Sequence, residues 1–174
     1  MATLNIRPTA PADIPAITRI YAHAVTHGTA TFELEPPDEA EMLRRFDRLR
    51  AGPFPYVVAE IDGAVAGYAY AALFRDRPAY RFTVEDSIYI APQMHRRGIG
   101  RALLTRLIAD SEAAGFRQMI AVIGDSRQAA SIAVHRACGF KDAGVFEAVG
   151  FKFGRWLDTV QMQRALGEGS GTAP

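Results

Sequence analysis

Ile88-Tyr89-Ile90-Ala91-Pro92-Gln93-Met94-His95-Arg96-Arg97-Gly98-Ile99-Gly100-Arg101-Ala102-Leu103-Leu104 runs from a strand into a basic, glycine-containing turn and then into a helix. The β-branched and aromatic residues before Pro92 favour extended backbone. The apolar residues after Gly100 recur at helical spacing, with Leu103, Leu104, Leu107 and Ile108 forming one stripe. Free backbone N–H groups at a helix start, added to the positive end of the helix dipole, make an anion site. Gly98 and Gly100 let an anion approach the backbone closely, and Arg96, Arg97 and Arg101 add charge at the same place. A P-loop is excluded, because the chain has no Gly-Lys pair. A dinucleotide fingerprint also fails, since Leu103 stands where the third small residue belongs.

The same rules order the rest of the chain. Residues 3–7 read as a first strand on the alternation of Leu4 and Ile6. Thr9 and Pro11 open a helix carrying Ile14, Ile17, Tyr21 and Ala24 on its core face. Asp38 and Glu41 have capping-box spacing, and the helix they start presents Met42, Leu43, Phe46 and Leu49. Tyr56–Ile61 and Ala64–Ala71 flank Asp62-Gly63, a strong hairpin signal. A strand follows over 83–90, then a helix from Gly98 to Ala114 with Gly115 as its cap. Gln118–Ile123 is a buried strand, 127–138 a helix stopped by Gly139, and 140–146 and 156–164 two last strands. The fold expected is α/β: a mixed, largely antiparallel central sheet flanked by helices. Residues 1–166 form one domain in this reading, and 167–174 a disordered tail.

Composition bounds the function. In 174 residues, 49% apolar and 22% charged content suits a folded core and excludes a mostly disordered chain. No apolar run reaches the ~20 residues that span a bilayer. The Met1–Pro15 stretch lacks the apolar segment of a signal peptide, so a cytoplasmic location and no membrane partner are expected. Cys138 is the only cysteine, so no intrachain disulfide can form. A net charge of +1 gives no argument for nucleic acid. His23 and His27 are four apart but lack a third ligand, so no metal site is expected. Cys138, Phe153 and Trp156 are taken as packing residues.

The glycine turn resembles the coenzyme A pyrophosphate loop of the GNAT acetyltransferase superfamily. Ser131-Ile132-Ala133-Val134-His135-Arg136-Ala137-Cys138-Gly139-Phe140 is similar to that superfamily's second cofactor helix. Thr83-Val84-Glu85-Asp86-Ser87-Ile88-Tyr89 and Lys152-Phe153-Gly154-Arg155-Trp156-Leu157-Asp158 resemble the phosphinothricin and methionine sulfoximine/sulfone acetyltransferase subfamily. His95 stands where that pattern carries Gln or Arg, and Gln128 where it carries Asn.

The resemblance implies an enzyme moving acetyl from acetyl-CoA, with no metal, to the α-amine of a small amino-acid analogue. It implies contacts to acetyl-CoA from Ile88, Tyr89, Ile90, Arg96, Arg97, Gly98, Ile99, Gly100, Arg101, Gln128 and Ser131. Glu85 becomes the base that takes the ammonium proton, its pKa raised by burial. His135 becomes either the acid for the departing thiolate or a packing residue beside acetyl-CoA. The acceptor falls to Arg75, Asp76, Arg77 and Tyr80, with Glu85, Asp86 and Ser87. Alternation along the strand places Glu85 and Asp86 on opposite faces, so that only one is expected in a given pocket. Asp76 and Arg77 replace a Pro-aromatic pair after the arginine. A homodimer is implied. Two other functions remain open: acetylation of a protein N-terminus or a polyamine, and acyl-CoA sensing without turnover.

Overall fold

The computed structural model describes residues 3–174. Seven strands form one sheet: β1 (Leu4–Pro8), β2 (Tyr56–Ile61), β3 (Ala64–Leu73), β4 (Thr83–Ile90), β5 (Gln118–Gly124), β6 (Lys141–Lys152) and β7 (Arg155–Ala165). Their spatial order is β1-β2-β3-β4-β5-β7-β6. Every neighbouring pair is antiparallel except β4 and β5. That exception follows from the crossover helix α3 (Ile99–Ala113) between them. The other helices are α1 (Ile14–His27), α2 (Glu39–Arg50) and α4 (Ala129–Ala137).

Two cores cover the two faces. On one, Leu103, Leu104 and Leu107 of α3 are fully buried against Val57, Ala69, Val84 and Met119. On the other, Ile17, Val25, Met42 and Phe46 of α1 and α2 pack on Val58 and Tyr68. Val25 and Ile20 are buried in α1 where Ala24 was expected, and Ala24 is only half-buried. Leu43 is exposed, because Met42 and Phe46 already fill the narrow face of α2.

The local signals act as the sequence indicates. Asp38 caps α2 by accepting from the Glu41 N–H at 2.8 Å. Asp62 and Gly63 both take positive φ, as a tight two-residue hairpin requires. Several boundaries differ, and three have a local cause. A short 3₁₀ turn, Pro11–Asp13, precedes α1. Helix α4 starts two residues late, because Asp125 turns the chain at φ +67° first. Strand β6 runs to Lys152 rather than Phe146, across an irregularity where Ala148 N–H donates to Asp158. Residues 167–174, expected without order, follow β7 as turns whose Thr172 accepts from Arg117.

The pairing of β4 with β5 is short. It runs only from Thr83↔Gln118 to Asp86↔Ala121. Beyond it, β4 stays paired to β3 as far as Ile90↔Gly67, and β5 to β7 as far as Gly124↔Thr159. The sheet therefore opens between Ser87–Ile90 and Val122–Gly124.

Leu104 has no solvent exposure in the α3 core. Leu104→Ala is expected to lower unfolding stability by about 2–5 kcal/mol. Urea unfolding with an unchanged m-value checks it.

Candidate active site

A cavity of about 960 Å³ fills the opening in the sheet. The diverging backbones of Ser87–Ile90 and Val122–Gly124 line it from the two sides. Each of these segments is hydrogen-bonded to a neighbour along its outer edge only, so its inner edge offers backbone groups to an occupant.

At one end stands the start of α3. Arg96 (φ +62°) and Gly98 (φ +77°) curl the chain so that Gly98 C=O accepts the first helical bond, from Ala102. The N–H groups of the first turn, at Ile99, Gly100 and Arg101, precede that first bond. A Cβ on Gly100 would meet nothing closer than Val134 at 4.0 Å, so space lies beside the turn. Arg96, Gly98, Ile99, Gly100 and Arg101 line the cavity; Arg97 does not, and its Nη1 lies 3.5 Å from Met94 Sδ. None of Arg96, Arg97 and Arg101 has a carboxylate partner among the described residues. His95 turns back on the strand, with Nε2 3.2 Å from Ile90 C=O.

Glu85 and Asp86 sit where the sheet begins to split. Both line the cavity, against the expectation that only one of them would. Alternation does place them on opposite faces. The opening, however, passes through the sheet rather than lying on one side of it. Burial pushes the Glu85 carboxyl up to about 7; the Asp86 carboxylate pushes the same way, and the Arg75 guanidinium pulls it back.

Asp86 is held from beneath. His135 Nε2 lies 3.0 Å from Asp86 Oδ2, and His135 Nδ1 lies 2.8 Å from Ser131 C=O. Both partners are acceptors, which favours the protonated ring. Burial pushes His135 down, but the Asp86 carboxylate and the Ser131 carbonyl outweigh it and raise its pKa. Neither nitrogen is free to face the cavity. The resemblance leaves His135 two roles, proton donor or packing residue; its ring is held between Asp86 and the Ser131 carbonyl. Ser131 and Gln128 line the cavity. The Gln128 amide donates one N–H to Thr29 Oγ1 at 3.1 Å, which leaves its oxygen and its second N–H for a ligand.

The Arg-rich loop lies apart. Arg75, Asp76, Arg77 and Tyr80 are exposed and do not line the cavity. Arg77 Nη1 donates to Asp76 C=O, and Arg75 stacks on Phe74. Arg75 nonetheless acts electrostatically on Glu85, the one sign that this loop borders the site.

Sequence reasoning missed one wall. The end of α1 and the loop after it, including Ala30, Thr31 and Phe32, line the cavity. The only local signal is Gly28 ending α1. His23 and His27 line it as well, with rings stacked at 4.3 Å. No metal-binding cluster occurs among the described residues. Phe153 and Trp156 were expected to pack inside, but both are more than half exposed. Cys138 is buried at the end of α4. No helix among the described residues is long and apolar enough to cross a membrane.

Comparison with known proteins agrees with this geometry. Residues 17–140 match the model of the acetyltransferase (GNAT) family. A phosphinothricin N-acetyltransferase of Alcaligenes faecalis is 56% identical over 162 residues, covering 93% of this chain and 82% of the relative. An L-methionine sulfoximine/L-methionine sulfone acetyltransferase of Salmonella typhimurium is 39% identical over 165 residues, covering 95% of this chain and 96% of its own. The crystal structure of a GNAT superfamily phosphinothricin acetyltransferase from Sinorhizobium meliloti, in complex with AcCoA, superposes with a TM-score of 0.95. It shares 55% identity, over 99% of this chain and 92% of the other.

A carboxyl whose folded pKa lies above its unfolded value adds stability at low pH, and that contribution disappears as pH rises through the folded value. For Glu85 the window runs from the ordinary 4.5 to about 7. Glu85→Gln is therefore expected to raise Tm relative to the parent above about pH 7, and to gain progressively less as pH falls below it. Paired thermal melts across that range test it; a constant difference would place the Glu85 charge in water.

Proposed function

The chain belongs to the acetyltransferase (GNAT) family, and we propose that it moves acetyl from acetyl-CoA directly to the α-amine of a small amino-acid analogue of the phosphinothricin or methionine sulfone/sulfoximine type. One observation carries this reading. A single cavity joins an anion-binding helix start to a carboxyl that titrates near neutrality.

The residues present fit acetyl-CoA. Its pyrophosphate belongs at the free N–H groups of Ile99, Gly100 and Arg101, with Arg96 and Arg97 supplying charge and Gly98 the turn. The open inner edge of Ser87, Ile88, Tyr89 and Ile90 suits the amides of the pantetheine arm. Ser131 and Gln128 border the same space. Acetyl-CoA supplies an acyl group already activated as a thioester.

Glu85 accepts the proton that keeps the acceptor amine charged, either directly or through one water. A carboxyl near 7 is half ionised at neutral pH, the protonation balance a general base needs. Asp86 and its partner His135 form a hydrogen-bonded pair below the reacting end. Their place in the reaction is to fix the local field rather than to carry the transferred proton. Arg75 grips the acceptor's carboxylate with Arg77 and Tyr80 as further donors, Asp76 belongs to the same loop, and Ser87 faces the acceptor from the cavity wall. A polyamine acceptor is disfavoured by this basic loop, and a non-catalytic sensor has no use for the raised Glu85.

The reading includes a single domain over residues 1–166, a cytoplasmic location and a homodimer. The apolar face of the β6–β7 hairpin supports the last. Val149, Phe151, Phe153 and Trp156 are all more than half exposed there, and Phe151 and Trp156, opposite each other in register, meet edge to face at 5.2 Å. A second copy of the chain is the occupant proposed for that face. Trp156→Asp with Phe151→Asp is expected to convert the protein to a monomer in sedimentation, and a monomeric parent would remove the homodimer from the reading.

Thiol release across a panel of acceptors tests the reaction. Phosphinothricin and methionine sulfone should outperform their carboxamides, polyamines and short peptides. Arg75→Lys keeps the charge but loses the planar fork, so it should raise acceptor KM and leave acetyl-CoA affinity unchanged. Gly100→Val should do the reverse. Faster turnover of polyamines or peptides than of every free-carboxylate acceptor would replace the substrate class.

A further inference from the structure

We propose that the tip of the β6–β7 hairpin, which lies outside the cavity, governs acceptor selection by fixing the Phe32 ring in the cavity wall, with Gly150 and Lys152 as positioning residues. This rests on the acceptor reading above.

Phe32 lines the cavity; Gly150, Lys152 and Arg155 do not. The ring sits where two glycines leave room for it. A Cβ on Gly150 would fall 2.2 Å from Phe32 Cε2 and 2.5 Å from Cδ2. A Cβ on Gly124 would fall 3.0 Å from Phe32 Cε1 and 2.4 Å from Thr29 C=O. Gly150 is not among the residues with positive φ, so nothing in its own backbone calls for glycine. What calls for it is the ring.

Two residues along the same face of β6, Lys152 is buried, at 3% exposure. Its Nζ donates to Thr31 C=O at 2.9 Å, directly beside Phe32. Burial pushes this ammonium down, with Glu33 opposing. An ammonium in the interior held by one carbonyl and the face of the Phe153 ring, 5.0 Å away, is costly, and a methionine would fill similar space without that cost. The group makes sense as a tether for the loop. Across the hairpin, Lys152 pairs in register with Arg155, which bonds Asp125. Asp125 in turn accepts from Thr29 Oγ1 at 3.1 Å. The hairpin thus grips the loop at 29, 31 and 32.

From the other side, Tyr21 Oη meets Thr31 Oγ1 at 2.9 Å, and Arg45 donates to Glu33 at 2.6 Å. These ties come from α1 and α2, which cover the face of β4 that carries Glu85, Ser87 and Tyr89. Phe32 therefore stands on the same side of the opening as the base. A ring there limits the acceptor's side chain and leaves the acetyl-CoA end untouched.

The test uses the full chain with Gly150→Ala, Lys152→Met, Phe32→Ala and the double variant Gly150→Ala/Phe32→Ala. Acceptors of graded side-chain size are compared by kcat/KM, acetyl-CoA affinity by calorimetry, and the Phe32 ring by its aromatic NMR signals without substrates. Gly150→Ala is expected to shift those signals and lower acceptor kcat/KM about ten- to a hundred-fold, mainly through KM and most for bulky acceptors. Acetyl-CoA affinity should stay within about twofold. In the Phe32→Ala background the added methyl should cost far less, because the clash is gone. Lys152→Met should move both readouts the same way, and carries the test if Gly150→Ala does not fold. Unmoved Phe32 signals, an undiminished loss in the Phe32→Ala background, or a parallel fall in acetyl-CoA affinity would each overturn the proposal. A parent that acetylates none of the acceptors overturns the acceptor reading instead, and the Phe32 signals then decide whether the hairpin holds the ring.

Discussion

The parallel pairing of β4 with β5 ends at Asp86↔Ala121, and everything this protein can do depends on that ending. A strand released from one neighbour carries a row of unpaired N–H and C=O groups, which is costly unless something else satisfies them. Here each strand keeps its other neighbour, β3 for β4 and β7 for β5, so the sheet parts without unravelling. The gap becomes a cavity whose walls are backbone. Helix α3 must connect the two strands, and its first turn lies against that cavity with free N–H groups and flanking arginines. An amide-bearing chain ending in a phosphate group is the ligand this geometry suits.

The split also accounts for the acid–base arrangement. Glu85 and Asp86 are neighbours, and in a continuous sheet they would serve separate cores. At the opening both reach the same space. Two adjacent carboxylates there repel, and the Asp86 charge is one reason Glu85 is raised; Asp86 itself is paired with His135, whose ring is locked by the Ser131 carbonyl. Glu85 has no such partner, and burial lifts it toward neutrality. The two carboxyls thus acquire different properties from their different surroundings.

Much of this was legible. The strand–turn–helix at 88–104 carries its own signal in glycine, arginine and apolar spacing, and the hairpin at Asp62-Gly63 and the cap at Asp38 depend on a few adjacent residues. The functional block around Glu85 was legible through resemblance, not through spacing. What was not legible depends on distance along the chain. Phe32 meets Gly150 only because β6 lies at the sheet edge beyond β7. Lys152 bonds a carbonyl 121 residues away. His135 could be placed on its helix, but not its two acceptors, and these decide what its ring can do. The exposure of Phe153 and Trp156 was misjudged because they lie at the free end of the hairpin, Phe153 in its turn and Trp156 at the start of β7, and apolar residues there read like core residues.

Charge placement completes the picture. The chain is nearly neutral, at +1, yet rich in arginine. Arginines elsewhere mostly have carboxylate partners: Arg7 with Asp13 and Glu60, Arg45 with Glu33 and Glu41, Arg106 with Asp110, Arg136 with Asp142, Arg155 with Asp125. Those near β4 do not. Arg75, Arg77 and Arg81 precede the strand, Arg96, Arg97 and Arg101 follow it, and none of the six has an ionic partner among the described residues. Positive charge is therefore left uncompensated at both ends of one strand, with the ionisable Glu85 between. A near-neutral surface avoids indiscriminate attraction to polyanions, while two local basic clusters still draw in anionic groups over roughly a Debye length of 8–10 Å. Two anionic partners approaching from opposite ends of β4 would meet where the strand leaves its neighbour, at the carboxyl that can take a proton.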